Sequence, residues 1–178
     1  MIDSDDYDIS EELSVYNTSY IYGEIDNESI KLVFDRVFAN GSKNECERGL
    51  YSFLDVGSGC GRLCKYLHDH FDFYVCGVEV DRQRFEKSLD KNANCDEFLE
   101  FLCDDFRNIY FGNYDILYCG NTVFSDEDND ALYKKIVREF KGMCFLLDYN
   151  NILLPYYKEK FVIHTSWCNN VSLFLFML

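Results

Sequence analysis

The sequence predicts an α/β domain: a mostly parallel sheet of seven strands, the last one antiparallel, with helices on both faces. Three observations predict it. Short apolar runs alternate with segments of helical periodicity from residue 51 to residue 147. The first run enters a glycine-rich turn, Gly57-Ser58-Gly59-Cys60-Gly61, that opens into a helical segment. The chain closes on two strand-like runs separated by a short turn. Alternation aligns strands in parallel, because each helix crosses back over the sheet, whereas a short turn joins antiparallel neighbours.

The elements follow in order. Residues 1–20 carry Asp3, Asp5, Asp6, Asp8, Glu11 and Glu12 and read as an acidic arm, with the folded domain expected over 21–178. Asp26 or Asn27 can cap a helix in which Ile30, Val33, Phe34, Val37 and Phe38 recur at helical spacing, and Asn40-Gly41-Ser42 supplies its stop. Strands are expected over 51–56, 73–80, 98–103, 114–119 and 143–147. Helices are expected over 60–71, 82–93 and 126–140, the last capped by Ser125. The closing hairpin is expected over 161–167 and 171–177, turning at Cys168-Asn169-Asn170.

Composition narrows the class. With 178 residues, 48% apolar and 17% aromatic, the chain can bury one sizeable core. No apolar run approaches the roughly 18 residues of a membrane helix, and there is no basic-then-apolar leader. The nine cysteines form no C-x-x-C pair and read as reduced thiols in an intracellular compartment. Cys60, Cys64 and His68 share a helical face and read as core residues; no metal is expected. A net charge of −15 is repelled by bare nucleic acid and attracted to basic partners. Abundant Tyr, Phe, Asn and Asp with a single Pro fit an AT-rich genome, such as a protist's or a large DNA virus's.

The glycine turn and the acids after it carry the chemistry. Phe53-Leu54-Asp55-Val56-Gly57-Ser58-Gly59-Cys60-Gly61-Arg62 is a strand, a turn and a helix start. Glycines allow positive φ and close approach of a ligand, and the helix N-terminus offers N–H groups to a carboxylate. Asp55 is placed to accept a cationic amino group. Glu79, ending the second strand, is placed to accept both hydroxyls of a ribose. In Cys103-Asp104-Asp105-Phe106, Asp105 can accept from an adenine amino group and Phe106 can flank the ring. Amino acid, ribose and adenine together describe S-adenosylmethionine. A nicotinamide enzyme would prefer G-x-G-x-x-G, whereas here the spacing is G-x-G-x-G behind an aspartate.

Four segments carry a more specific resemblance. Tyr22-Gly23-Glu24-Ile25, Asp55-Val56-Gly57-Ser58-Gly59-Cys60-Gly61, Cys119-Gly120-Asn121-Thr122-Val123-Phe124 and Ser166-Trp167 with Val171-Ser172 occur in order from residue 22 to the C-terminus. They resemble the Y-G-E-T, D-L-G-S-G-x-G, V-N-N-F-A-F and S-W-x-G-K-P-V-S motifs of the Dot-type (disruptor of telomeric silencing) histone-lysine methyltransferases, which use a Rossmann-like class I fold. The resemblance implies that Tyr22, Glu24, Asp55, Gly57, Ser58, Gly59, Gly61, Arg62, Glu79, Asp105, Phe106 and Asn121 surround the cofactor. It implies that Asn121, Phe124 and Trp167 line a lysine channel. Arg62 stands where the family usually has Gln, and Gly120 where it has the first of two Asn.

The acceptor chemistry agrees. Lysine, with a pKa of about 10.4, must lose a proton before it can attack, and a narrow apolar channel favours the neutral amine. Phe124 and Trp167 can form its walls, and Asn121 can orient the nitrogen. The N-P-P-Y motif of adenine and glutamine methyltransferases is absent after the fourth strand. By the resemblance the substrate is a nucleosomal core-histone lysine, which implies a nucleus or a viral factory. Lys134, Lys135, Arg138 and Lys141, on one helix, are the candidate DNA-phosphate contact. The alternatives are a non-histone protein lysine and a cofactor-binding pseudoenzyme that acts as an interaction module.

Overall fold

The computed structural model describes residues 24–38, 51–71 and 73–178. The helix stop at Asn40-Gly41-Ser42, the acidic arm and Tyr22 lie outside the described residues.

Helices α1 (Asn27–Phe38), α2 (Arg62–Phe71), α3 (Arg82–Lys91) and α4 (Asp126–Glu139) surround strands β1 (Ser52–Val56), β2 (Tyr74–Glu79), β3 (Leu99–Cys103), β4 (Ile116–Cys119), β5 (Met143–Leu146), β6 (Tyr157–Ile163) and β7 (Val171–Met177). The sheet order is β3-β2-β1-β4-β5-β7-β6. The first five strands are mutually parallel. Strand β7 inserts antiparallel between β5 and β6. This is the expected sheet, and its order reverses at β1, where chain crossovers leave in opposite directions and a crevice opens at the carboxyl ends of the strands.

Alternation along the strands divides the core in two. Phe53, Val75, Ile116 and Phe145 meet α1 and α2 through Phe34, Cys64 and Leu67. Leu54, Val56, Leu117 and Cys144 meet α4 through Leu132, Tyr133 and Ile136. Phe34 touches Phe53, Phe73 and Phe145, with ring centroids 5.4–6.1 Å apart, and so fastens α1 to β1, to β5 and to the residue that leads into β2. Asp26 caps α1 by accepting the Ser29 N–H at 2.7 Å. Ser125 caps α4 by accepting the Asp128 N–H. Cys64 and His68 share the inner face of α2, but Cys64 donates to Asp55 while His68 lies between Asp69 and Asp96.

The closing hairpin differs from expectation. Strand β6 begins at Tyr157 and ends at Ile163, so Trp167 sits in a connection, not on a strand. The polar residues Lys158, Glu159 and Lys160 hid the strand start. They are tolerated because β6 is an edge strand, where charges also discourage further pairing. Asn170 ends the connection with φ at 65°, a left-handed conformation Asn accepts more readily than most residues.

Candidate active site

The three glycines of the turn all have positive φ: Gly57 at 81°, Gly59 at 57° and Gly61 at 79°. At Gly61 the need is also steric. A Cβ there would lie 2.5 Å from the Phe101 ring and 3.1 Å from Ser88, so its absence lets the start of α2 close against β3 and α3. The turn is tied to β2 by the Gly57 and Ser58 N–H groups, which both donate to Val78 O, and by Gly59 N–H, which donates to Glu79 Oε2 at 2.8 Å. Gly61 N–H donates to Ser58 O. These four amides are therefore spent inside the protein, which leaves the N–H groups of the first turn of α2, from Arg62 on, as the ones the helix N-terminus can offer a ligand. The turn gives the ligand room: a Cβ on Gly57 would stand over the Phe124 ring at 3.9 Å.

A cavity of about 520 Å³ opens beside this turn at the carboxyl ends of β1, β2 and β4. Of the expected residues, Glu24, Asp55, Gly57, Ser58, Glu79, Asp105, Phe106, Phe124 and Trp167 line it. Gly59, Gly61, Arg62 and Asn121 are absent from that lining.

Asp55 is buried on the floor, and Cys64 Sγ–H donates to its carboxylate at 3.3 Å. Burial pushes its pKa up to about 7, the Glu79 and Glu24 charges add to the rise, and the Cys64 bond opposes it. A cation is what such a carboxyl lacks. Glu79 is also buried, its Oε2 accepting from Gly59 and its Oε1 from Asp81 N–H at 2.8 Å. A carboxylate has about four acceptor sites, so both oxygens retain capacity for hydroxyl donors. The Ser58 hydroxyl is buried with no hydrogen-bond partner among the described residues.

The opposite wall is aromatic. Phe106 and Phe124 stack with centroids 6.0 Å apart, and the Arg107 guanidinium lies 4.7 Å from the Phe106 ring centre. Arg107 joins Asp105 at 3.0 Å and Asp128 at 2.5 Å. The Ser125 hydroxyl and Arg107 beside Asp128 hold its carboxyl below the usual range.

Two assignments are corrected. Asn121 is fully buried behind the wall. Its Nδ2 faces Asn129 Oδ1, Tyr133 OH and Asp148 O at 2.7–3.1 Å, while its Oδ1 accepts from the Leu147 and Asp148 N–H groups. An amide so engaged has no donor left for an amine or cofactor; it joins the ends of β4 and β5 to α4. Arg62 does not line the cavity itself; its guanidinium is engaged by Glu24 Oε2, Ile25 O and Asn27 Oδ1 at the cavity's edge. Sequence reasoning missed Arg84, Arg107, Asp128 and Tyr118 in the lining. Tyr118 was legible in principle, since it is Asp55's register partner at the same end of the sheet. Arg84 and Arg107 carry no sequence signal of that kind.

The family described as "Methyltransferase domain" matches residues 53–142, half of the chain. The chain belongs to this methyltransferase family. Its members use S-adenosylmethionine as methyl donor, and the cavity fits that cofactor: a buried carboxyl facing inward, a second acid at the end of β2, and the side-chain-free Gly57 between them. Phosphoethanolamine N-methyltransferase 1 of Arabidopsis thaliana is 25% identical over 100 residues, 54% of this chain and 20% of the relative. Its Zea mays counterpart is 24% identical over the same length. The match thus spans about a fifth of those relatives. Among solved structures, magnesium protoporphyrin IX methyltransferase from Synechocystis PCC 6803 with bound S-adenosylhomocysteine shares the fold at a TM-score of 0.65 and 15% identity, covering 85% of this chain and 83% of that one. An RNA methyltransferase from Salinibacter ruber, in complex with S-adenosyl-L-homocysteine, gives 0.59 at 16%, covering 83% and 90%.

Proposed function

We propose that this methyltransferase modifies an amine, that the amine is a protein lysine, and that its substrate is a core-histone lysine on the nucleosome, as the Dot-type resemblance implies. The observation that carries the reading is the pairing of an acidic cavity with an aromatic mouth. Phe124 and Trp167 line the same cavity as Asp55 and Glu79.

When bound, S-adenosylmethionine supplies an electrophilic methyl group. The protein's part is to receive and orient. Asp55, ionised by the arrival of a cation, holds an amino group at the floor, and Glu79 accepts hydroxyl donors. Phe124 and Trp167 give the lysine an apolar border at the mouth, and the amine attacks in its neutral form after releasing its proton to solvent. The same faces hold a methylated ammonium by cation–π attraction. Asn121 acts by fixing the loop that carries Phe124.

The acidic chain suits a basic histone surface. DNA contact falls to Lys134, Arg138 and Lys141 alone, because Lys135 is buried and bonded to Glu139 at 2.7 Å and to Arg107 O. A chromatin substrate would place the protein in a nucleus or viral factory.

A second reading has its own support. The curated relatives are named for a small phosphorylated amine, and Arg84 and Arg107 in the cavity wall suit a phosphate. Labelled methyl donor offered with nucleosomes, free histones and phosphoethanolamine separates the two. Label on nucleosomes supports the lysine reading; label on phosphoethanolamine alone overturns it.

A further inference from the structure

Arg62 is the first residue of α2, directly after the glycine turn, yet it reaches the other side of the cavity mouth. Its Nε donates to Glu24 Oε2, its Nη2 to Ile25 O, and its Nη1 to Asn27 Oδ1 at 2.8 Å. One planar fork thus grips a carboxylate that lines the cavity, a backbone carbonyl and the first residue of α1.

The gripped segment is itself stitched to the connection between β6 and β7. Glu24 N–H donates to Ser166 Oγ at 3.1 Å, and Ser166 N–H returns to Glu24 O at 2.7 Å. Ile25 bridges Thr165 in antiparallel fashion, Asp26 N–H donates to His164 O, and His164 N–H donates to Ser29 Oγ at 2.9 Å. Thr165 Oγ1 and Cys168 close a tight turn between them, and Trp167 is carried inside it, 47% exposed at the cavity edge.

We infer that Arg62 is a positioning residue that couples the cofactor side of the cavity to the acceptor side, through Glu24, the Ile25–Thr165 bridge and Trp167. The inference deepens the reading in which the cavity holds the cofactor and Trp167 borders the acceptor. A ligand that engages Glu24 acts on the segment that Arg62 braces, and that segment reaches the Trp167 turn through the Ile25–Thr165 bridge and the paired Glu24–Ser166 bonds. Cofactor binding then fixes the Trp167 wall before an acceptor arrives. Lysine at position 62 would keep the charge opposite Glu24 but lose the fork that holds Ile25 and Asn27.

The protein has one tryptophan, so its fluorescence reports Trp167 alone. The experiment titrates S-adenosylhomocysteine into the full chain. It reads binding by calorimetry and Trp167 accessibility by acrylamide quenching, for wild type, Arg62→Ala, Arg62→Lys and Ser166→Ala. Wild type should bind and become harder to quench on saturation. Arg62→Ala should bind roughly tenfold more weakly, as expected for the loss of hydrogen bonds to a charged group. At its own saturation it should show no protection of Trp167. Arg62→Lys should recover affinity but only part of the protection, and Ser166→Ala should lose protection with affinity nearly kept. If Arg62→Ala does not fold, the last two variants decide. Full protection in the substituted proteins at saturation overturns the coupling, as does wild-type binding without any change in quenching. Failure of the wild type to bind overturns the cofactor reading and the coupling together.

Discussion

Asp55 is a carboxyl whose surroundings resist its charge. Burial raises it from 3.8 to about 7. Between those values the unfolded chain has released this proton and the folded chain has kept it. The unfolded state therefore binds fewer protons, and stability falls as pH rises through that window. The melting temperature of the empty protein should drop from about pH 4 to about pH 7 relative to Asp55→Asn, which has nothing to titrate there. Equal pH profiles would contradict the buried-carboxyl account. Affinity for a cationic ligand should move the opposite way, weakening as Asp55 becomes protonated below about pH 7. Asn121 makes a different prediction. Removing a fully buried amide that serves α4, β4 and β5 leaves several groups unsatisfied, so Asn121→Ala should cost on the order of 3 kcal/mol. The folded fraction should keep its cofactor affinity; lost affinity at unchanged stability would return Asn121 to the cavity. Asp55 and Glu79 were legible because an acid at a strand's carboxyl end has few other uses. Asn121 was not, because an amide next to a cavity wall reads the same from either side of it.

At the scale of elements, the glycine turn is fixed by backbone conformation as much as by ligand. Gly61→Ala forces a Cβ into the Phe101 ring at a φ of 79°, and should destabilise by about 1–3 kcal/mol. A variant with wild-type stability would show that α2 can retreat without cost. The parallel strands and the capped helices were legible from alternation, from Asp26 and from Ser125. The start of β6 was not. Its charged residues are acceptable because no strand among the described residues pairs with its outer edge, and edge position is a property of the whole sheet, not of seven residues. Trp167, expected on a strand, lines the cavity from the connection after β6. The cross-link from Thr165 to Ile25 spans most of the chain and leaves no local mark.

At the scale of the molecule, a net charge of −15 surrounds a site that is itself acidic, with Arg84 and Arg107 as its cations. If the acceptor is a basic protein, attraction should be screened within about a 10 Å Debye length at 0.1 M salt. Its KM should then rise steeply as salt is added, and a flat salt profile would count against a histone. Reversing Lys134, Arg138 and Lys141 together should weaken binding to nucleosomes more than to free histones; equal weakening would remove DNA from the account. Lys135 was not legible as an exception on α4, since only the packed structure shows its ammonium turned to Glu139. If the crevice beside β1 holds the cofactor through Asp55, calorimetric titration of S-adenosylhomocysteine into the wild type and into Asp55→Asn, both checked for melting temperature, will show it. One site per chain in the wild type, lost in a folded Asp55→Asn, is the predicted result; equal binding by both would contradict it.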